Sequence, residues 1–411
     1  MTLFLIAYVH LIINNKECFL YLTTRFFMSV VEEGNAEEIH MFRDMVLRFL
    51  EQEVLPHYDS WERNHKMPRE IWNTMGSAGM LLVDFPEKYG AADASFDVCQ
   101  MIQEEMCRLN LHALATGYNI HSNIVAPYLL HIGNQQQQDH WLPAMVSGEV
   151  LTALAMTEPG AGSDLANIRT KAIKDGDHYI LSGSKTFITN GNDADMIIVC
   201  AKTDINAGSK GISLFLVDTS IPGFSTGKPI EKIGQHCSDT AELFFENMRI
   251  PSDALLGEEG KGFVYLMQEL PRERLGCAVQ AIGHAQGALD ITCDYVKERK
   301  AFGNSVSQFQ NTRFKLAECK TELEMCRALL EKHMHKYQRG EMTVTDAAML
   351  KLAATEMQLT MVNECLQLFG GYGYTDEYPI SRFYRDARIQ TIYAGTSEIM
   401  KEVIARDILG R

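Results

Sequence analysis

No pair among the ten cysteines has C-x-x-C spacing, and the thirteen histidines form no H-E-x-x-H motif. No histidine pair is spaced to complete a cysteine–histidine zinc site, and His333 and His335, two apart, fall on different sides of a helix. A metal site is therefore not expected, and the cysteines read as buried thiols of a reducing compartment. Basic residues are also scarce. The 38 Lys and Arg against 53 Asp and Glu leave a net charge of −15, which excludes a binder of bulk nucleic acid. No apolar run is long enough to span a bilayer. Leu3–Ile13 is apolar apart from His10, yet no Lys or Arg precedes it as in a signal peptide. Lys16 and Arg25 are the only basic residues before Met28, too few for a mitochondrial presequence. Residues 1–35 read as a poorly defined N-terminal extension, with Met28 as the natural start. There is no G-x-x-x-x-G-K-[ST] phosphate loop, no G-x-S-x-G elbow and no internal repeat. Gly160-Ala161-Gly162 does not continue to a third glycine.

What is present divides by period. Residues 36–150 read as a helical domain: Phe42, Met45, Val46, Phe49 and Leu50 form an amphipathic stripe, and Pro68 is placed to open a later helix. Gln135–Gln138 reads as a solvated helix face. Over 151–255 the period shortens. The stretch 178–188, interrupted at Ser182-Gly183-Ser184, Met196–Ala201, the alternating 212–217 and 241–251 read as strands of a small β domain. No helices separate these strands, so a Rossmann sheet is not expected. Over 256–411 long helices return. Leu275, Val279, Ile282, Leu289, Cys293 and Val296 form a stripe, and Gly276, Gly283 and Gly287 permit close helix contacts. Thr345 is a candidate cap for a helix running to Phe369 and ended by Gly370-Gly371. The fold class is α+β and multidomain: N-terminal helical domain, middle β-barrel domain, C-terminal helical bundle.

Four separated segments are informative together: Met156-Thr157-Glu158-Pro159-Gly160-Ala161-Gly162-Ser163-Asp164, Lys185–Asn190, Glu298-Arg299-Lys300-Ala301-Phe302-Gly303, and Gln367-Leu368-Phe369-Gly370-Gly371 followed by Tyr393-Ala394-Gly395-Thr396-Ser397-Glu398. Each alone has a dull reading, as a turn or a helix-end charge. In this order and spacing they resemble the acyl-CoA dehydrogenase family over residues 36–411, most closely its long-chain members and next its isovaleryl-CoA members. The resemblance implies a homotetramer that binds FAD between the β domain and the later helices, with the adenine end reaching a neighbouring subunit. It implies acyl-CoA as substrate and an electron-transferring flavoprotein as acceptor.

By the same resemblance, Thr157 and Thr189 contact the isoalloxazine while Met156 and Phe187 wall it. Arg299 suits the pyrophosphate charge, being capable of bidentate contact. Phe302 and Gln310 line the adenosine path, and Gln367, Leu368, Phe369, Gly370 and Gly371 form a helix end that a neighbour's FAD can approach. Thr396 and Glu398 are further FAD contacts. Ser163 lies near the pantetheine, and Ala394 and Gly395 flank the thioester.

The catalytic base is the sharp question. Removing the weakly acidic α-proton of a thioester needs a carboxylate over that carbon and hydrogen bonds on the thioester oxygen. In most of the family the carboxylate occupies the position of Ala394, and alanine cannot take a proton. The long-chain and isovaleryl members resemble each other in placing it after the β domain, where this chain reads Leu270-Pro271-Arg272-Glu273-Arg274-Leu275. Glu273 is the expected base, with Pro271 in a first helical turn and the main-chain N–H of Ala394 still available to the thioester. The bland reading of Glu273 is a first-turn glutamate favoured by the helix dipole. Arg274 is expected to bind the CoA part, or else to form a surface ion pair with Glu269 or Glu273. The function implied is dehydrogenation of medium- or long-chain acyl-CoA to trans-2-enoyl-CoA in fatty-acid β-oxidation. An isovaleryl-type enzyme, an acyl-CoA oxidase and an inactive flavin-bearing structural subunit are the alternatives. A cytoplasmic location is expected, or else the mitochondrial matrix.

Overall fold

The computed structural model describes residues 33–410, so the reading of residues 1–27 lies outside the described residues. The described chain falls into two units. The first contributes helix α1 (Glu33–Phe49), which carries the stripe read from Phe42 to Phe49.

The second unit, from Leu50, opens with helices α2 (Leu55–Asn64), α3 (Glu70–Ser77), α4 (Phe96–Arg108), α5 (His112–Tyr118), α6 (Ala126–Ile132) and α7 (Gln135–Ser147). Helix α7 begins with a capping box in which Asn134 and Gln137 satisfy each other's backbone N–H. The glutamine run is not a uniformly solvated face. Gln137 is buried and donates to the carbonyls of Asp253 and Leu255, and Gln138 donates to those of Leu130 and Gly133. A helix end abutting β structure leaves carbonyls that need such donors.

Eight strands follow: β1 (Thr152–Ala155), β2 (Lys171–Asp175), β3 (His178–Thr189), β4 (Met196–Lys202), β5 (Ile212–Asp218), β6 (Phe224–Thr226), β7 (Thr240–Pro251) and β8 (Leu255–Leu256). They pair in the order β6-β7-β3-β2-β4-β5-β8, with β1 on β4. Among the described residues this path stays open, so the middle domain is a sheet whose pairings do not close into a barrel. The interruption read at Ser182–Ser184 is an irregularity inside one continuous strand: Gly183 sits at φ +150, and a Cβ there would stand 2.7 Å from Thr170 Cα. Every residue of β4 is buried, as expected of a strand covered on both faces.

Helix α8 (Gly262–Glu298) is 37 residues long and passes through Pro271. A two-stranded ribbon, β9 (Lys300–Ala301) and β10 (Asn304–Ser305), leads to α9 (Gln310–Gln338), α10 (Val344–Phe369), α11 (Pro379–Ala387) and α12 (Ser397–Ile408). The small residues of α8 do permit close approach. A Cβ at Gly283 or Gly287 would stand 2.5 Å from the carbonyl oxygen of Glu104 or 2.1 Å from that of Arg108, both on α4. Leu275, Ile282, Leu323, Leu350, Met361 and Phe383 share one core across α8 to α11. The cap of α10 is Thr343, two residues before the expected Thr345, because Asp346 completes a capping box with it. The helix ends at Phe369 with Gly370 at φ +61. Among the described residues no helix is long and apolar enough to cross a membrane, and all nine cysteines are free.

Candidate active site

Glu273 stands well inside α8. The expected first-turn position of Pro271 and Glu273 is therefore corrected: the helix starts at Gly262, nine residues before Pro271, and continues through it. Proline lacks an N–H and cannot complete the internal hydrogen-bond ladder there. A helix-dipole account of Glu273 falls with that correction, since the dipole acts within the first turn. Glu273 is 3% exposed, and its Oε1 accepts a hydrogen bond of 2.8 Å from the hydroxyl of Tyr128, a fully buried residue of α6. Burial pushes the carboxyl up to about 7, and nearby Glu269 adds to the rise; the Tyr128 hydrogen bond and the Arg274 charge oppose it.

Arg274 is buried rather than on a helix surface, and the expected surface ion pair is not what holds it. Its Nε and Nη1 have no hydrogen-bond partner. A Cβ built at Gly395 would stand 3.6 Å from Arg274 Nη2, so the Arg274 guanidinium reaches the 394–396 turn. In that turn Ala394 (φ +52) and Gly395 (φ +98) adopt left-handed backbone. The turn is tied from α10, where Lys351, wholly buried, donates 2.8 Å to the carbonyl of Gly395. Burial lowers the Lys351 ammonium to about 8. Thr396 caps α12 through the N–H of Ile399, and Glu398 is exposed in its first turn.

A second group lies at the end of β3. Thr186 N–H donates to the carbonyl of Thr157, and Lys185, fully buried, donates to the carbonyl of Met156 and pairs with Glu158 at 2.9 Å. Glu158 also accepts from the N–H groups of Arg169 and Thr170. These bonds fix the 156–162 turn against β3. Phe187 occupies an irregularity of the β3–β7 pairing at φ +59 and is 65% exposed, with Thr189 ending the strand. Ser163 is exposed on the following loop.

The third group surrounds an open hollow of about 470 Å³ lined by Arg299, Gln367, Leu368, Phe369, Gly370, Gly371 and Tyr372, among others. The Arg299 guanidinium lies 5.1 Å from the centre of the Tyr372 ring. Phe302, in the turn between β9 and β10, holds φ +53 and is 95% exposed; it and the exposed Gln310 are not among the hollow's lining residues. Bulky residues at positive φ are rare, and strain of this kind clusters at sites of function.

These residues fit FAD. A cation in an open hollow suits a pyrophosphate, and Cβ atoms built at Gly370 and Gly371 meet nothing within 4 Å, so the backbone there is open to a close ligand. Exposed Phe187 supplies a flat apolar face. Sequence reading missed Tyr128, Lys351 and the Lys185–Glu158 pair. Lys351 left a signal, a lysine between Leu350 and Ala354 on an apolar stripe; Tyr128 left none.

Models of the acyl-CoA dehydrogenase N-terminal, middle and C-terminal domains match residues 36–149, 153–248 and 260–409. The long-chain specific acyl-CoA dehydrogenase of Sus scrofa mitochondria is 45% identical over 91% of this chain and 87% of its own length. Isovaleryl-CoA dehydrogenase of Pongo abelii is 39% identical over 91% and 89%. The crystal structure of an acyl-CoA dehydrogenase from Geobacillus kaustophilus superposes with a TM-score of 0.89 at 46% identity, covering 92% of this chain and 99% of that one. The chain belongs to the acyl-CoA dehydrogenase family of FAD-dependent oxidoreductases.

Proposed function

We propose that the protein dehydrogenates medium- or long-chain acyl-CoA to the trans-2-enoyl-CoA, with Glu273 as the base. The observation that carries this reading is a buried carboxylate on α8, next to Arg274 whose guanidinium reaches the 394–396 turn, in a chain whose residue 394 is alanine. With its proton affinity raised by burial, Glu273 is suited to accept the α-proton near neutral pH, where base and acid forms are both accessible. Tyr128 aims the carboxylate through Oε1 and leaves Oε2 for the substrate. The main-chain N–H of Ala394, in a turn pinned by Lys351, is suited to donate to the thioester oxygen and stabilise the charge that develops there. Arg274, whose Nη2 lies beside the same turn while its Nε and Nη1 are unpartnered, adds positive charge. Bound FAD supplies the two-electron acceptor for the β-hydride. Met156, Thr157, Phe187 and Thr189 are suited to hold its ring, Arg299 and Gln367–Gly371 its phosphate and adenosine end, with Phe302, Gln310, Thr396 and Glu398 as further contacts and Ser163 near the pantetheine. We assign an electron-transferring flavoprotein as acceptor, a homotetramer as assembly, β-oxidation as the setting, and the cytoplasm or mitochondrial matrix as location.

Anaerobic mixing of the holoenzyme with a ladder of acyl-CoA lengths tests this through flavin bleaching. A maximum at medium or long chains supports the proposal. A maximum at isovaleryl-CoA makes it a branched-chain enzyme, and no bleaching at any length makes it a catalytically silent subunit.

A further inference from the structure

Two polar pairs join α6 to α8, one turn apart. Tyr128 and His131, three apart on α6, face Glu273 and Glu269, four apart on α8. Tyr128 Oη lies 2.8 Å from Glu273 Oε1, and His131 Nδ1 lies 2.8 Å from Glu269 Oε1. Residues at these spacings share a helix face, so the two pairs form successive rungs between antiparallel segments. The rungs differ in exposure. The His131 side chain is 47% exposed and that of Glu269 10%, whereas Glu273 lies deeper, at 3% for the residue.

We propose that the His131–Glu269 pair positions charge beside the catalytic base and so fixes how readily Glu273 gives up its proton. The proposal rests on the reading of Glu273 as base and deepens it. Glu269 sits one helical turn from Glu273, in a region where water does not screen it fully, and its negative charge opposes ionisation of Glu273. His131 is the member that holds this charge in place: its ring meets the Glu269 carboxylate from the solvent edge and keeps it on the helix face that carries Glu273. The other groups facing Glu273 are Tyr128 of α6, Arg274 and Cys277 of α8 and Cys200 of β4; Tyr128 and Tyr337 of α9 face Glu269.

The test uses two substitutions that preserve shape, Glu269→Gln and His131→Asn, in the FAD-loaded enzyme. Two readouts are taken: the pH profile of kcat/KM, and a carbon-13 NMR titration of glutamate side-chain carboxyls, with the Glu273 signal assigned by its loss in Glu273→Gln. Glu269→Gln removes a negative charge and is expected to move the Glu273 midpoint down by about one pH unit. His131→Asn removes the ring that holds Glu269 beside Glu273 and is expected to move the midpoint in the same direction by less. A structural role alone would lower stability or raise KM without moving the midpoint. Unmoved midpoints, or an upward shift in either variant, overturn the proposal. If Glu273→Gln itself keeps full turnover, the assignment of the base fails instead, so the two failures are distinguishable.

Discussion

The hydroxyl of Tyr128 and the carboxylate of Glu273 meet at 2.8 Å with both side chains buried, one on the short helix α6 and the other about a third of the way along α8. A carboxylate so placed is costly when charged, and that cost is what raises its proton affinity.

Tyr128→Phe removes the donor and keeps the ring. That hydrogen bond holds the Glu273 carboxyl down, so its loss raises the midpoint further above 7. Turnover is expected to fall several-fold at pH 7 and to recover toward wild type at higher pH. A pH profile of kcat/KM checks this, and a uniform loss at every pH contradicts it.

The same burial has a consequence for stability. The folded midpoint of Glu273, about 7, lies above its ordinary 4.5, so the native state holds the proton more tightly than the unfolded chain. Stability from this group is therefore largest at low pH and declines as pH rises from about 4.5 to 7. Glu273→Gln, neutral at every pH, is expected to gain on the order of 2–3 kcal/mol relative to wild type at pH 8 and little at pH 4.5. Thermal unfolding at the two pH values measures the difference.

Lys351→Met removes the buried donor to the carbonyl of Gly395. Leaving that carbonyl unsatisfied costs about 1–3 kcal/mol, and the turn carrying Ala394 loosens. The expected result is a fall in kcat larger than any rise in KM, together with a lower Tm. Unchanged kcat with lowered Tm would make Lys351 purely structural.

Gly371→Leu separates ligand space from folding space. A Cβ at Gly371 meets no protein atom within 4 Å, so the fold of one chain should tolerate the substitution with little change in Tm. FAD occupancy of the purified enzyme is expected to fall because the added side chain projects into the open side. Equal FAD content would remove this helix end from the cofactor site. Arg299→Gln is expected to weaken FAD retention in the same assay.

The domain-scale architecture was legible because period alone separates helix from strand, and because Gly183, Gly283 and Gly287 mark places where only a missing Cβ fits. The turn residues were legible only as motifs; their left-handed backbone at Phe187, Phe302 and Ala394 was not, since nothing in local propensity favours it there. The start of α8 was misplaced because Pro271 reads as a first-turn residue, and tertiary packing carries the helix through it. Tyr128 was invisible for a different reason. Its partner lies 145 residues away, and a tyrosine among Val125, Leu129 and Leu130 looks like any other core residue.

The most direct measurement is single-turnover reduction of FAD-loaded Glu273→Gln by its best acyl-CoA substrate, beside the wild type and Glu273→Gln/Ala394→Glu. The account predicts that Glu273→Gln keeps its FAD and loses about 10²–10⁴-fold in the rate of flavin reduction, with part of that rate restored when a carboxylate returns at position 394. Reduction of Glu273→Gln at a rate near the wild type would contradict it.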